Sequence, residues 1–242
     1  MKPARYQRWL NPDVENLAEL NQQVKAVCKL YEEAPQLHAQ GTHVISTDEM
    51  TGIQALERVI LPMEMRHPQK IDHEYVRHGT VTLIANWEVA TGKVISPSLG
   101  ATRTEADFAN HIATTVAIAP NDSWIFISDN LNTHQSATLV EWVASVCHLA
   151  DPLGVKGKSG ILGTQPSRAL FLTDTSHRIH FVYTPKHCSW LNQVECWFSI
   201  LARRLLRRSS FLSVDHLRQK IIAFINYFNE LLSKPFKWKF RG

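Results

Sequence analysis

Three acidic residues in this 242-residue chain stand where an acid would be available for chemistry. Asp48 lies at or near the end of a short β-prone run, "THVISTDE". Asp129 closes "SWIFISDN", a continuous apolar run that fits a strand buried on both faces. If the two strands are neighbours, both carboxylates emerge at one edge of a sheet, where α/β sheets gather ligands. Two like charges side by side are unfavourable unless a cation lies between them. Hard oxygen donors suit magnesium or manganese. The third acid, Glu195, opens a tryptophan-rich helix. Val194, Trp197, Phe198, Leu201 and Leu205 form its apolar stripe, and Glu195 sits on the border of that stripe, in a row with the small Ser199 and Ala202. That position points the carboxylate along a seam between helix and sheet. Each acid also has a plainer reading. Asp129 alone suits a turn or a cap, Glu195 could pair with an arginine, and Glu49 competes with Asp48 for the inward place. Strand alternation turns neighbours to opposite faces, and Asp48 is taken as the inward one.

The elements that must position these acids follow from hydrophobic pattern. Asn11 and Pro12 signal a helix start, a loose stripe runs from Val14 to Tyr31, and Pro35 is expected to end it. A hairpin is expected over about 79–88 and 93–99, turning at Thr91-Gly92. Residues 61–79 read as a long loop, and long loops inside compact domains are often functional. A helix over "TRTEADFANHIATTVAIA", the buried strand, a helix at about 136–148, a Gly/Lys-rich insertion, the strand "HRIHFVYTP" and two closing helices (about 189–208 and 213–232) complete the order. The fold class is therefore α/β, a mixed sheet flanked by helices. Residues 1–40 form a linker helix segment too small to be a domain. Residues 41–242 form the main domain, with the insertion at about 151–176.

Composition narrows the classes. The chain is 44% hydrophobic with seven Trp and ten Phe, enough for a sizeable core and against disorder. The net charge of +4 is modest but concentrated, with Arg203, Arg204, Arg207 and Arg208 within six residues, a pattern that fits phosphate as well as a solvated helix face. The four cysteines show no metal spacing and read as reduced thiols. No apolar run is long enough to span a membrane and no signal peptide is visible, so no membrane partner and a cytoplasmic location are expected. His177, His180 and His187 lack second-ligand spacing for zinc. Ser128 near His134 lacks the G-x-S-x-G elbow of a hydrolase.

Longer motifs carry a family resemblance. "STDEMTGIQALER", "RHGTVTLIANWEVATGKVI", "ISDNLNTHQSATLVEWV", "YTPKHCSWLNQVECWFSILARRLLRRSSF" and "KPFKW" together span residues 42 to 238. They resemble the DDE transposases of the insertion-sequence six-thirty group in the Tc/mariner superfamily. The resemblance implies a ribonuclease-H-like fold with a mixed five-stranded sheet. It implies that Asp48, Asp129 and Glu195 are catalytic and hold two magnesium ions, with manganese as a substitute. One ion would activate water against a phosphodiester and the other would stabilise the leaving 3′ oxygen. A freed 3′-OH would replace water in strand transfer. Glu49, Asn130, His134, Trp190 and Asn192 are then supporting residues. Arg66, Lys70, Arg77, Lys156, Lys158, Lys186 and the four clustered arginines would follow DNA phosphates. Partners would be transposon-end and target DNA and a second copy of the chain. Members usually begin with helix-turn-helix modules. This sequence starts at the linker helix, so a separately encoded helix-turn-helix protein is a further expected partner. Two other functions stay open: a domesticated or partial transposase that binds DNA or protein, and a nuclease that cuts without joining.

Overall fold

The computed structural model describes residues 17–58, 60–61, 70–71 and 74–240. Helix α1 (Leu17–Ala39) leads into β1 (Thr42–Glu57), two short strands β2 (Ile60–Leu61) and β3 (Lys70–Ile71), and the hairpin of β4 (Val76–Glu88) and β5 (Lys93–Gly100). Then come α2 (Glu105–Val116), β6 (Ser123–Ser128), a 3-10 turn (Asn132–Gln135), α3 (Ala137–Val146), α4 (Gln165–Leu172) and β7 (Ile179–Tyr183). Helices α5 (Gln193–Leu201) and α6 (Val214–Leu231) close the chain.

The main sheet has the order β5-β4-β1-β6-β7. β4 pairs antiparallel to β1 and β5, whereas β1, β6 and β7 run parallel. β6 lies between β1 and β7 and five of its six residues are buried, which is why it reads as an unbroken apolar run. Two hydrophobic layers cover the sheet. Val27, Tyr31, Trp87, Val194, Trp197 and Ile221 belong to one, which takes in α1, α5 and α6. Phe108, Ile112, Phe126, Leu139, Leu172 and Phe181 belong to the other, with α2, α3 and α4. The edge strand β5 is blunted by a side chain. Asn229 of α6 accepts from Val94 N–H at 2.9 Å and donates to Val94 C=O at 2.7 Å, occupying groups that could otherwise pair with another strand.

Several expectations need correction. Pro35 does not end α1. The helix runs on to Ala39, with Pro35 facing solvent while Ala34 and Leu37 keep contact with the core. Burial of that face offsets the missing hydrogen bond. The proposed start at Asn11 and Pro12 lies outside the described residues. β1 is not a short strand ending in acids. It continues as a two-stranded ribbon with β4 past Gly52 (φ 66°), with register shifts between Met50 and Ile53 and between Gln54 and Leu56. Within the expected long loop, β2 pairs with β3 and β4 already begins at Val76. The insertion is not all loop. Thr164 and Ser167 form a capping box with Pro166 in the first turn of α4, and Arg168, Phe171 and Leu172 are buried. The helix expected over 189–208 is a 3-10 turn (Ser189–Leu191), then α5, then a π-helical turn (Ala202–Leu206).

Candidate active site

The parallel pairing of β1 with β6 ends at Ser46 opposite Ile127. Asp48 and Asp129 each lie two residues beyond that pair, so the shared register carries both to the same edge. Asp48 is buried, and its Oδ1 accepts from the Glu49 N–H at 2.8 Å. Its Oδ2 accepts from Asn192 Nδ2 at 3.3 Å. Asp129 accepts from the Leu131 N–H at 3.0 Å and from His134 Nδ1 at 2.7 Å. Donor atoms of Asp48, Asp129 and His134 all lie within 4.8 Å of one another.

His134 stands between two acids. Its Nδ1 meets Asp129, and its Nε2 lies 2.9 Å from Glu49 Oε2. The ring packs on Phe108 of α2, with centroids 4.2 Å apart. Burial alone would lower its pKa, but the hydrogen bonds to Asp129 and Glu49 raise it from 6.5 to about 10. Both ring nitrogens of His134 are therefore engaged by acids, which favours its protonated form and ties Asp129 to Glu49. Strand alternation holds at the acids: Asp48 turns toward Asn192 and the α5 layer, and Glu49 toward His134 and the α2 layer.

Ser46 fixes the third acid. Asn192 is the residue before α5, yet its side chain does not cap that helix. It reaches to β1 instead, accepting from the Ser46 hydroxyl and donating to Thr47 C=O at 3.0 Å. The Ser46 hydroxyl takes over the capping and accepts from the Val194 N–H at 2.8 Å. The start of α5 is thereby tied to β1 two residues from Asp48. Glu195, in the first turn of α5, is half-buried; burial and then the charge of Asp129 raise its carboxyl above the usual range.

The remaining expected residues divide. Asn130 joins the ends of β6 and β7 by donating to Thr184 C=O at 2.5 Å, and it accepts from Gln135 at 3.1 Å. Trp190 is exposed, its ring edge-on to Phe240 at 4.9 Å. Lys186, Lys158 and the four clustered arginines are exposed. Arg203, Arg204 and Arg208 line a groove with Lys234, beside the π-turn. Lys156 is paired with Glu105 at 2.8 Å, and Arg77 lies over the Tyr75 ring at 5.3 Å. Lys70 lies on β3, and Arg66 falls outside the described residues. Sequence reasoning missed Ser46, whose partners lie almost 150 residues away, and Arg103, whose charge helps to lower the Asp129 pKa.

The charge balance fits a hard divalent cation. Burial, and then repulsion by Asp129, push Asp48 up from 3.8 to about 7, with Glu195 adding to the repulsion. Burial raises Asp129 too, but His134, the Leu131 N–H and Arg103 hold it low. Glu49 Oε1 is buried without a hydrogen-bond partner. Three carboxyls, those of Asp48, Asp129 and Glu49, thus gather around the His134 ring, and Glu195 feels the charge of Asp129. Because the folded-state pKa of Asp48 is raised, its contribution to metal-free stability is complete below pH 3.8 and is lost as pH rises through about 7. Magnesium binding to the ionised pair should therefore raise the melting temperature at pH 8 and scarcely at pH 4.5. At a hundred times its dissociation constant the gain is about 2.7 kcal/mol, roughly 5–10 °C for a chain of this size. Calorimetry across pH checks this, and a shift independent of pH contradicts it.

A five-stranded mixed sheet in this order, with acids at the ends of adjacent strands and helices on both faces, is a ribonuclease-H-like domain. The sequence profile of the DDE superfamily endonucleases matches residues 44–218, and the chain belongs to that superfamily. Among solved structures, the Mos1 mariner paired-end complex with manganese is similar at a TM-score of 0.54 and 13% identity, over 92% of this chain and 59% of that one. The catalytic domain of Mos1 mariner transposase gives 0.51 at 12% identity, over 90% of this chain and 85% of that domain. The Mos1 catalytic domain with raltegravir and magnesium gives 0.50 at 11% identity, over 88% and 85%. The chain therefore spans 59% of the length of the Mos1 chain in the paired-end complex. Curated proteins give no match at the sequence level. Among the described residues no helix is long and apolar enough to cross a membrane.

Proposed function

We propose that the chain is the catalytic domain of a DNA transposase of the insertion-sequence six-thirty group, cutting phosphodiesters at transposon ends and joining the freed 3′-OH to target DNA. The observation that carries the reading is the placement of Asp48 and Asp129 at one sheet edge, where His134 offsets only part of their mutual repulsion. Asp48, Asp129 and Glu195 are the residues proposed to hold two magnesium ions, or manganese in their place. When bound, such ions supply electrostatic stabilisation to the attacking and leaving oxygens of an in-line displacement.

The chain's own residues prepare that chemistry. His134 holds the Asp129 carboxylate in one orientation, leaving its outer oxygen free. Asn192 does the same for Asp48, and Ser46 sets the height at which α5 presents Glu195. The exposed arginines beyond Glu195 and Lys186 after β7 bind the DNA backbone. The working form is a homodimer in the cytoplasm, assisted at the transposon ends by a helix-turn-helix protein.

The test has two stages. Magnesium-dependent nicking of duplex DNA is expected first, and its absence under dimer-forming conditions counts against any nuclease role. Joining of pre-cut ends to a target plasmid then separates a transposase from a nuclease that only cuts. Salt dependence tests the basic surface. Combining Arg203→Ala, Arg204→Ala, Arg207→Ala and Arg208→Ala should flatten the log–log salt slope of DNA binding by about 0.9 for each phosphate left without its arginine. An unchanged slope leaves these arginines as solvated surface.

A further inference from the structure

A second group of metal-ligating side chains lies at the start of β1. One ligand atom from each of His38, His43 and Glu88 falls within 4.8 Å of the other two. Glu88 Oε1 is 2.7 Å from His43 Nδ1 and 3.5 Å from His38 Nε2, so a single oxygen is aimed between two imidazoles. The other oxygen, Oε2, accepts from the Thr91 hydroxyl at 2.5 Å, which fixes the carboxylate's rotation. Five residues of strand at about 3.3 Å each place His43 roughly 16 Å from Asp48, so this group is separate from the catalytic acids.

The backing of His43 is what distinguishes the cluster from a surface ion pair. Its Nε2 lies 3.1 Å from Asp122 Oδ2, and its ring is stacked on Trp124 with centroids 4.1 Å apart. When Nε2–H donates to Asp122, the lone pair of Nδ1 faces an oxygen of Glu88. Two lone pairs at that distance need a cation between them, either a proton or a metal. A carboxylate behind a histidine whose other nitrogen faces open donors is the arrangement that orients ligands in zinc sites. A proton shared by His43 explains the contacts of His43 alone. His38 brings a third donor atom to the same oxygen, so the three side chains converge on one point.

Two imidazole nitrogens and one carboxylate oxygen are a donor set for zinc and similar first-row cations, and a poor one for magnesium. Zinc–nitrogen bonds of about 2.0–2.1 Å put tetrahedral ligand atoms roughly 3.4 Å apart. The His38–Glu88 separation already matches, and the His43–Glu88 pair must open by less than about 1 Å. We propose that His38, His43 and Glu88, with Asp122 behind His43, bind a zinc-class divalent cation that fastens the end of α1 to the sheet. The two histidines flank the turn at Gly41 (φ 78°), so one ion would bridge helix, turn and strands β1 and β4.

Zinc binding to the full chain, measured by competition with a chromophoric chelator in millimolar magnesium, tests this. One zinc per chain is expected, with a zinc-dependent rise in melting temperature. His38→Ala, at a half-exposed helix end, should leave the metal-free circular dichroism unchanged, abolish the zinc-dependent rise and weaken binding by at least about tenfold. Asp122→Asn should weaken it by about 10- to 100-fold. Retention of zinc to the same degree by His38→Ala, or no retention by the parent chain, overturns the assignment.

Discussion

Replacing Asp48 with Asn is expected to cut magnesium-dependent DNA cleavage by roughly a thousandfold or more, equivalent to about 4 kcal/mol of transition-state stabilisation. The fold should survive. Asp48 accepts one backbone and one side-chain hydrogen bond on different oxygens; an asparagine oxygen keeps the backbone one, and Asn192 Nδ2 still donates to Thr47 C=O. The substitution also removes a charge that burial and Asp129 oppose. The metal-free variant should therefore melt no lower than the parent at pH 8, and higher if the repulsion is as strong as the pKa near 7 implies. Loss of activity together with gain of stability is the signature of a residue held in an unfavourable state for its function. Single-turnover cleavage and calorimetry on the same preparation check both halves. Cleavage at parental speed would remove Asp48 from the reaction, and a variant that fails to fold would show that its carboxylate is a structural element.

His134→Ala should have the largest effect on stability. The side chains of His134 and Glu49 are 0% and 2% exposed, and removing one partner of a buried pair costs about 3–5 kcal/mol. For a chain of this length that is a drop of roughly 10 °C or more. The loss should depend on pH in a defined sense. His134 is raised from 6.5 to about 10, so its pairing contributes fully below pH 6.5 and fades as pH rises through about 10. The gap between parent and variant should be wide at pH 6.5 and narrow toward pH 10. Urea denaturation at both values measures it, and a gap that does not change with pH would mean that a neutral histidine suffices.

How much of this was legible in the sequence differed by element. β6 was legible because a strand buried on both faces leaves a continuous apolar run, and Asp129 follows directly from where that run stops. The border position of Glu195 was legible from helical periodicity, since Val194, Trp197, Phe198 and Leu201 are all buried as the stripe requires. The extent of β1 was not. Its outer half is a ribbon stabilised by β4, a partner about twenty to thirty residues downstream, and nothing local specifies that pairing. Pro35 misled because its penalty is local whereas the compensating burial is tertiary. The helix in the insertion did leave a signal, a threonine cap with proline and serine in the first turn, set among glycines that masked it. The charge on His134 could not be read from "NTHQ", because it depends on two acids that only the folded chain brings to it.

The cap that Ser46 places on α5 has a consequence for biosynthesis. Asp48 leaves the ribosome early and Glu195 late, and the hydroxyl that seats the helix waits for a peptide N–H made about 150 residues afterwards. On the proposed assignment, a nascent polypeptide cannot complete its cutting centre until the segment that bears Glu195 has been translated. Truncated products of interrupted synthesis would then lack the third ligand, so a cell could carry such fragments without suffering strand breaks.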